Sequence, residues 1–191
     1  MTTHYIDITL LPDPEFSHAH LLGALMAKLH RALVQLKASD IGVSFPQHLN
    51  TPLSRRTLGA VLRLHGVSGA LDELMGQEWL KGVRDHVQVS TLGSVPIDAK
   101  HRLVQRRQFK TSADRLRRRR MTRKGETAEQ AAAAIPDTVE RKPNLPFAQL
   151  RRSSTGQPFC LFVDHGALQI EGTDGSFNTY GLSLGGSIPW F

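Results

Sequence analysis

The chain has 191 residues, 40% of them hydrophobic and 21% charged, an ordinary balance for a folded protein. Its charge is less ordinary, because 24 Lys and Arg outnumber 17 Asp and Glu and give a net charge of +7. The single cysteine excludes an internal disulfide, and neither a signal peptide nor an apolar run of membrane-spanning length is found. We therefore expect a cytoplasmic protein with no membrane partner.

The first 95 residues alternate between strand and helix patterns. "HYIDITLL" alternates apolar and polar residues like a half-buried strand, and "SHAHLLGALMAKLHRALVQLK" has leucines at helical spacing. The next four patterns predict two strands, a helix and a strand: "IGVSFP", "LGAVLRLHG", "SGALDELMGQEWLKGV" and "DHVQVST". The order β-α-β-β-α-β predicts a ferredoxin-like (RRM-like) domain over residues 1–95, a fold that RNA-binding proteins share with many others.

Residues 96–191 show a different pattern. "TSADRLRRRRMTRK" has Thr111 or Ser112 as a capping residue and predicts a helix at about 112–124, and "GETAEQAAAAIP" predicts a helix that stops at Pro136. Short strands are expected in "FAQLRRSS", "PFCLFVDHG", "ALQIEGT" and "FNTYGLSL". The chain is therefore predicted to be α+β, with a C-terminal α/β half that contains the arginine-rich helix.

The positive charge is concentrated in residues 106–124. This segment has ten basic residues and one acid, a net charge of +9, so the remainder of the chain sums to about −2. In the predicted helix Arg115, Arg119 and Arg123 follow at i, i+4 and i+8, with Arg118 beside them. Solvated helical faces usually mix charge signs, so we favour a site for a polyanion, and guanidinium groups suit both RNA and DNA.

Other chemistries have little support in the sequence. His18 and His20 form an H-x-H pair, but no cysteine, histidine or carboxylate set at metal-ligand spacing accompanies them. No glycine-rich phosphate loop precedes a helix start. We predict no metal and no cofactor.

Several short stretches form the most specific pattern in the sequence: "PDPEF", "KLHRALV", "IGVSFP", "WLKGVRDH", "DRLRRRRM", "IPDTV", "STGQPF", "YGLS" and "PWF". In this order and spacing, over essentially the whole chain, they resemble the CRISPR-associated endoribonucleases that process precursor CRISPR RNA in subtype I-F systems. The resemblance implies a ferredoxin-like N-terminal domain and a C-terminal half with an arginine-rich helix. It also implies metal-independent cleavage of the CRISPR repeat RNA hairpin at the 3′ base of its stem, giving a 2′,3′-cyclic phosphate. The implied enzyme stays on the crRNA hairpin with other subunits of a type I-F interference complex.

The resemblance places a catalytic histidine at His30 and a tyrosine near it at Tyr180. On the first predicted helix His30 lies about 80° from the centre of the apolar stripe, at the rim of the buried face. Imidazole titrates in a range suited to moving the proton of a ribose 2′-hydroxyl or of the leaving 5′-oxygen, and the sequence leaves both roles open. The alternatives are a rim histidine bonded to backbone and a strand tyrosine with a buried ring.

One position departs from the family pattern. Where the family has a ribose-binding serine the chain has Arg152, followed by Ser153 and Ser154. Either a neighbouring serine takes over this contact or the contact is absent. Ser154 is kept as a catalytic candidate, and Ser153 and Thr155 as RNA contacts. The departure leaves open an alternative, a subunit that binds the repeat hairpin with weak or no cleavage, and a general double-stranded DNA binder is a third interpretation.

The resemblance also assigns RNA-recognition residues. Arg106 and Gln108 match positions that recognise base pairs at the bottom of the stem, in keeping with arginine–guanine and glutamine–adenine pairing. Phe159 matches an aromatic residue that stacks on the terminal base pair, a contact of about 1–3 kcal/mol, or else it belongs to the core of its strand. The basic candidates on the helix are Arg115, Arg118, Arg119, Arg123 and Lys124.

Overall fold

The computed structural model describes residues 2–51, 56–109, 112–139, 144–152 and 155–191. It divides into two compact units, one of residues 1–107 with 145–191 and the other of residues 108–144. Helices and antiparallel strands occur together, so the predicted α+β class is confirmed. The division into sequence domains 1–95 and 96–191 stays a prediction.

The N-terminal strands of the larger unit form one antiparallel sheet, in the order β2-β3-β1-β4 with β5 also paired to β1. Their bounds are β1 His4–Leu10, β2 Gly42–Ser44, β3 Val61–Gly66, β4 Val87–Val89 and β5 Gly93–Ser94. On β1 the alternate residues Ile6, Ile8 and Leu10 are buried, as the apolar–polar alternation predicts.

Helix α1 (His18–Leu36) begins at Ser17, whose hydroxyl accepts the N–H of His20 at 3.3 Å. Its apolar stripe is buried: Leu21, Leu22, Leu25, Met26, Leu29 and Leu33. Helix α2 (Ser68–Gly76) is shorter than predicted. It ends at a glycine, a poor helix former, and Trp79, Leu80 and Val83 are buried by turns instead of by a continued helix.

The later strands of this unit form a three-stranded sheet, β7-β9-β8, and a two-stranded sheet, β10-β6. Their bounds are β6 Lys100–Arg102, β7 Val104–Arg107, β8 Phe147–Arg151, β9 Pro158–His165 and β10 Ile188–Trp190. Helix α1 packs closely on β8, where a Cβ at Gly23 would collide with the carbonyl of Gln149. One apolar core therefore connects the first sheet, α1 and the β7-β9-β8 sheet.

Two of the predicted strands are wrong. "ALQIEGT" makes only an isolated bridge, between Gln169 and His101, and "FNTYGLSL" makes only the bridge between Phe177 and Ser183. In the second stretch an asparagine and a glycine close a tight turn where a strand was predicted. No helix in the described ranges is long and apolar enough to cross a membrane.

The described part of the smaller unit contains the α-helices α3 (Ala113–Lys124) and α4 (Ala128–Ala134) and a short 3-10 helix, Asp137–Val139. The Ser112 hydroxyl accepts the N–H of Arg115 at the start of α3, and Gly125, with φ +65°, ends it. A capping box between Thr127 and Gln130 begins α4. The arginine-rich segment is thus helical and bounded by a cap at each end.

Candidate functional site

His30 lies on α1, half-buried beside the buried Leu29 and Leu33 of the apolar stripe. Its Nδ1–H donates to the carbonyl oxygen of Thr179 at 2.9 Å, and its ring stacks on Tyr180, with centroids 4.2 Å apart and planes 9° apart. A carbonyl can only accept, so the ring proton of neutral His30 is on Nδ1. No hydrogen bond from a described residue reaches Nε2, which is left able to take up a proton.

A tight turn of residues 178–182 presents both contacts to His30. The amide oxygen of Asn178 accepts the N–H groups of Tyr180 at 2.8 Å and Leu182 at 3.2 Å, and the Asn178 carbonyl accepts the N–H of Gly181 at 2.7 Å. Gly181 has φ +73°, and a Cβ there would lie 2.5 Å from a methyl group of Val43. Only glycine suits this position without strain.

The 178–182 turn is tied to two strands. The N–H of Val43 on β2 donates to the Gly181 carbonyl at 2.8 Å, and the N–H of Ser183 donates to the Val104 carbonyl on β7 at 2.7 Å. Neither Asn178 nor the Thr179 carbonyl is predicted from the sequence as part of the site. An asparagine three residues before a glycine is a turn signal that could have indicated the first; nothing in the sequence marks a carbonyl as a ligand.

Arg106 extends this cluster. It lies on β7, half-buried, with its guanidinium carbon 5.8 Å from the centroid of the Tyr180 ring. Its Nε is buried, and no hydrogen-bond partner for it exists among the described residues. The larger unit thus brings together three of the predicted site residues, with Tyr180 between His30 and Arg106.

The other predicted residues of this unit lie around the β8–β9 connection. Thr155 and Arg152 are exposed, and the Arg152 carbonyl accepts the N–H of Gly156 at 2.8 Å. Phe159 is half-buried and packs against the core, so its ring has at least a structural role in its strand. Its stacking on RNA stays a prediction. Ser153 and Ser154 lie outside the described residues.

The arginines of α3 fall into two groups. Arg117 donates to the Asp137 carboxylate at 2.7 Å and to the Ile135 carbonyl at 2.9 Å, and Arg120 pairs with Glu126 at 3.0 Å. These contacts join α3 to the segment around α4. The predicted candidates on the helix are exposed, and no ion pair to any of them occurs in the described part of the chain: Arg115, Arg118, Arg119, Arg123 and Lys124.

Arg115, Arg118 and Arg119 lie on the face of α3 opposite to Arg117 and Arg120. Arg123 and Lys124, in the last turn, lie toward the other side, which also carries Leu116. Ala113 is buried and Leu116 half-buried on the face that carries Arg117 and Arg120. The opposite face has a single sign of charge, which is the arrangement expected of a surface that meets phosphates. Gln108, in the same unit, is exposed and available for a ligand.

His65 and His165, also in the larger unit, have surroundings unlike those of His30. Burial, with smaller effects of the cations Arg63 and His101, lowers the pKa of His65 to about 3, and its Nε2 is bonded to the Ser44 hydroxyl at 2.8 Å. Burial also lowers the pKa of His165 to about 3, and that ring stacks on His48 at 3.5 Å. In the described ranges no group of three or more histidine, cysteine or acidic residues could hold a metal ion.

Comparison with known proteins gives matches over nearly the whole chain. The family model described as CRISPR-associated protein (Cas_Csy4) matches residues 5–191. The chain is 48% identical to the CRISPR-associated endonuclease Cas6/Csy4 of Pseudomonas aeruginosa (strain UCBPP-PA14), over 98% of this chain and 99% of the relative. It is 43% identical, over the same shares, to the protein of that name from Escherichia coli (strain UTI89 / UPEC). The chain therefore belongs to the Csy4 family of CRISPR-associated proteins.

Proposed function

We propose that the chain is an endoribonuclease that binds the hairpin of a CRISPR repeat RNA and cuts it at the 3′ base of the stem. The observation that carries the proposal is the arrangement of His30, whose Nδ1–H is held by the Thr179 carbonyl and whose Nε2 has no hydrogen-bond partner among the described residues. Both relatives are named as CRISPR-associated endonucleases, which supports the same reaction class.

The proposed chemistry needs one proton acceptor at the ribose. The 2′-oxygen attacks the adjacent phosphorus, its proton passes to Nε2 of His30, and the bond from phosphorus to the 5′-oxygen breaks. The products are a 2′,3′-cyclic phosphate and a 5′-hydroxyl, whose proton comes from the imidazolium or from water. Because the Thr179 carbonyl accepts a hydrogen bond from the neutral and the charged ring alike, it holds His30 in place throughout.

Metal independence follows from this scheme, since the imidazole and the cations of the chain supply the proton transfer and the positive charge. Ser154 and Tyr180 complete the proposed catalytic set. The Tyr180 ring orients the imidazole by stacking, and Ser154 is proposed to contact the ribose in place of the family serine.

RNA binding is assigned to the basic, polar and aromatic residues that the family resemblance indicates. The exposed arginines of α3 are proposed to contact the stem, and Arg106 and Gln108 the base pairs at its bottom. The remaining proposed contacts are Ser153, Thr155 and Phe159. Cytoplasmic location, retention on the product and association with other subunits of a type I-F interference complex are part of the same proposal.

We further propose that residues 1–95 form a ferredoxin-like domain. The element order β1-α1-β2-β3-α2-β4 and the antiparallel sheet order β2-β3-β1-β4 support this arrangement. It places His30 on the first helix.

The direct test is incubation of the purified chain with a repeat hairpin RNA in the presence of a chelator. We expect one cut at the 3′ base of the stem, a product that ends in a 2′,3′-cyclic phosphate, and no cut in an RNA with 2′-deoxyribose at that position. Cleavage that requires added metal, or that persists with the 2′-deoxy RNA, would contradict the proposed chemistry.

A second candidate is favoured by Arg152, which stands where the family has a ribose-binding serine. In that case the chain holds the repeat hairpin and cuts it weakly or not at all. Tight binding of the hairpin without a cyclic-phosphate product would select this function.

A further inference from the structure

The 178–182 turn is organised by a side chain to which the proposed chemistry gives no role. The Asn178 amide oxygen accepts the N–H groups of Tyr180 and Leu182, at 2.8 Å and 3.2 Å. The same turn provides the Thr179 carbonyl and the Tyr180 ring, the two groups that contact His30.

One peptide unit connects Asn178 to His30. The Tyr180 N–H and the Thr179 carbonyl belong to the same planar peptide group, and they point to opposite sides of it. Asn178 accepts at the N–H end and His30 donates at the carbonyl end. A rotation of this plane would misalign both hydrogen bonds together, and bonds in such a series polarise one another.

We propose that Asn178 is a positioning residue that fixes the plane of the Thr179–Tyr180 peptide and thereby keeps the proton of neutral His30 on Nδ1. Nε2 then remains the proton-accepting atom. The catalytic consequence rests on the proposed function, whereas the position of the proton is a property of the protein without RNA.

The other bonds of the turn do not control this plane. Val43 holds the Gly181 carbonyl, Val104 holds the Ser183 N–H, and both lie beyond the Thr179–Tyr180 peptide in the chain. The Gly181 N–H bonds to the Asn178 backbone carbonyl, which closes the turn and leaves the intervening peptide free to rotate. Among the described residues, the Asn178 side chain is therefore the hydrogen-bond partner at the N–H end of the peptide whose carbonyl is presented to His30.

The test compares Asn178→Ala, which removes the acceptor, with Asn178→Asp, which keeps an oxygen in the same place. The protonated ring nitrogen is identified by ¹⁵N nuclear magnetic resonance of labelled imidazoles above the titration range, and the His30 signal is assigned by its absence in His30→Gln. We expect the Nδ1–H form in the natural chain and in Asn178→Asp, and substantial Nε2–H form in Asn178→Ala.

The same variants are then compared in single-turnover cleavage of the hairpin RNA. We expect Asn178→Ala to lower the rate at saturating RNA roughly tenfold, a fraction of the full contribution of a general base, and to leave RNA affinity unchanged. Asn178→Asp should restore most of the rate, and its added charge should move the pH profile upward.

An Asn178→Ala protein that keeps the Nδ1–H form, even with a lower melting temperature, would overturn the positioning role. If Asn178→Ala does not fold, Asn178→Asp decides, because an Nε2–H form in that variant contradicts the inference and an Nδ1–H form supports it. If the natural chain cuts no RNA while its histidine proton responds to Asn178 as expected, the proposed function fails and the positioning role stands.

Discussion

His30 and His65 show how two histidines of one chain acquire different chemistry from their surroundings. His30 is half-buried at the rim of α1, and one of its ring nitrogens has no hydrogen bond to any residue that the structure describes. His65 has no exposed surface and bonds to the Ser44 hydroxyl, and burial, followed by the charges of Arg63 and His101, lowers its pKa to about 3. The first arrangement suits proton transfer, and the second keeps a neutral ring in the core.

The pKa of His65 makes a prediction about stability. The folded protein binds the proton only near pH 3, whereas the unfolded chain binds it near the ordinary pKa of 6.5. The neutral buried ring therefore does not reduce the free energy of unfolding above about pH 6.5. As the pH falls from 6.5 toward 3, proton binding to the unfolded chain lowers the free energy of unfolding by about 1.4 kcal/mol per pH unit. We expect His65→Gln to reduce the pH slope of the free energy of unfolding by this amount between pH 6 and 4, as measured by urea unfolding.

Ser44→Ala is the matched control for this prediction. It removes the hydrogen-bond partner of His65 but leaves the titrating ring in the core. This variant should be less stable at pH 7 and keep the slope of the natural chain. An unchanged slope in His65→Gln would mean that the buried ring is protonated in the folded state at moderately acid pH.

The residue scale also shows what the sequence can and cannot predict about the site. The rim position of His30 follows from helical periodicity, because 3.6 residues per turn fix its angle to the apolar stripe. Its partner is a backbone carbonyl, a group that every residue has. The contact between His30 and Thr179 depends on a turn 149 residues later in the chain and leaves no local signal.

Helix α3 is the element in which identical residues have different roles. Arg117 bonds to Asp114, Asp137 and the Ile135 carbonyl, whereas Arg119 is exposed and has no ion pair among the described residues. The run of arginines is thus partly a structural contact with the α4 segment and partly a charged surface. The run of positive charge in the sequence indicated the charged surface. The structural contact was not predicted, because it depends on Asp137 and the Ile135 carbonyl, which follow the helix in the chain.

These two arginines provide a matched pair of variants. Arg119→Ala should weaken hairpin binding by about 1–3 kcal/mol and lower the salt dependence of binding, with the melting temperature nearly unchanged. Arg117→Ala should reduce stability by about 1 kcal/mol or less and have the smaller effect on affinity. Filter binding at several salt concentrations and thermal unfolding measure both quantities. Equal losses of affinity in the two variants would contradict the division of α3 into two faces.

The sequence predicts well the helices and strands that have a periodic apolar pattern, and it predicts poorly the irregular connections between them. The order β1-α1-β2-β3-α2-β4 follows from alternating and helical apolar patterns. The 178–182 turn lies in a stretch predicted as a strand, although Asn178 and Gly181 close the chain on itself. β10 has no such pattern, and its pairing with β6 depends on a distant segment.

On the scale of the whole molecule, the chain combines two compact units with different charge. The larger unit contains His30, Tyr180 and Arg106, and the smaller contains the exposed arginines of α3. Residues 106–124 carry +9, and the rest of the chain is nearly neutral. Long-range attraction of RNA is therefore expected to come from one segment, while the proposed chemistry depends on a cluster in the larger unit.

The most direct test of this division is one measurement on His30→Ala, with cleavage rate and dissociation constant determined on the same hairpin RNA. Nε2 of His30 is the proposed proton acceptor and α3 supplies the binding cations, so we expect the cut to disappear and the dissociation constant to stay within about threefold. Cleavage at the rate of the natural chain, or loss of binding together with cleavage in a folded variant, would contradict the assignment of His30.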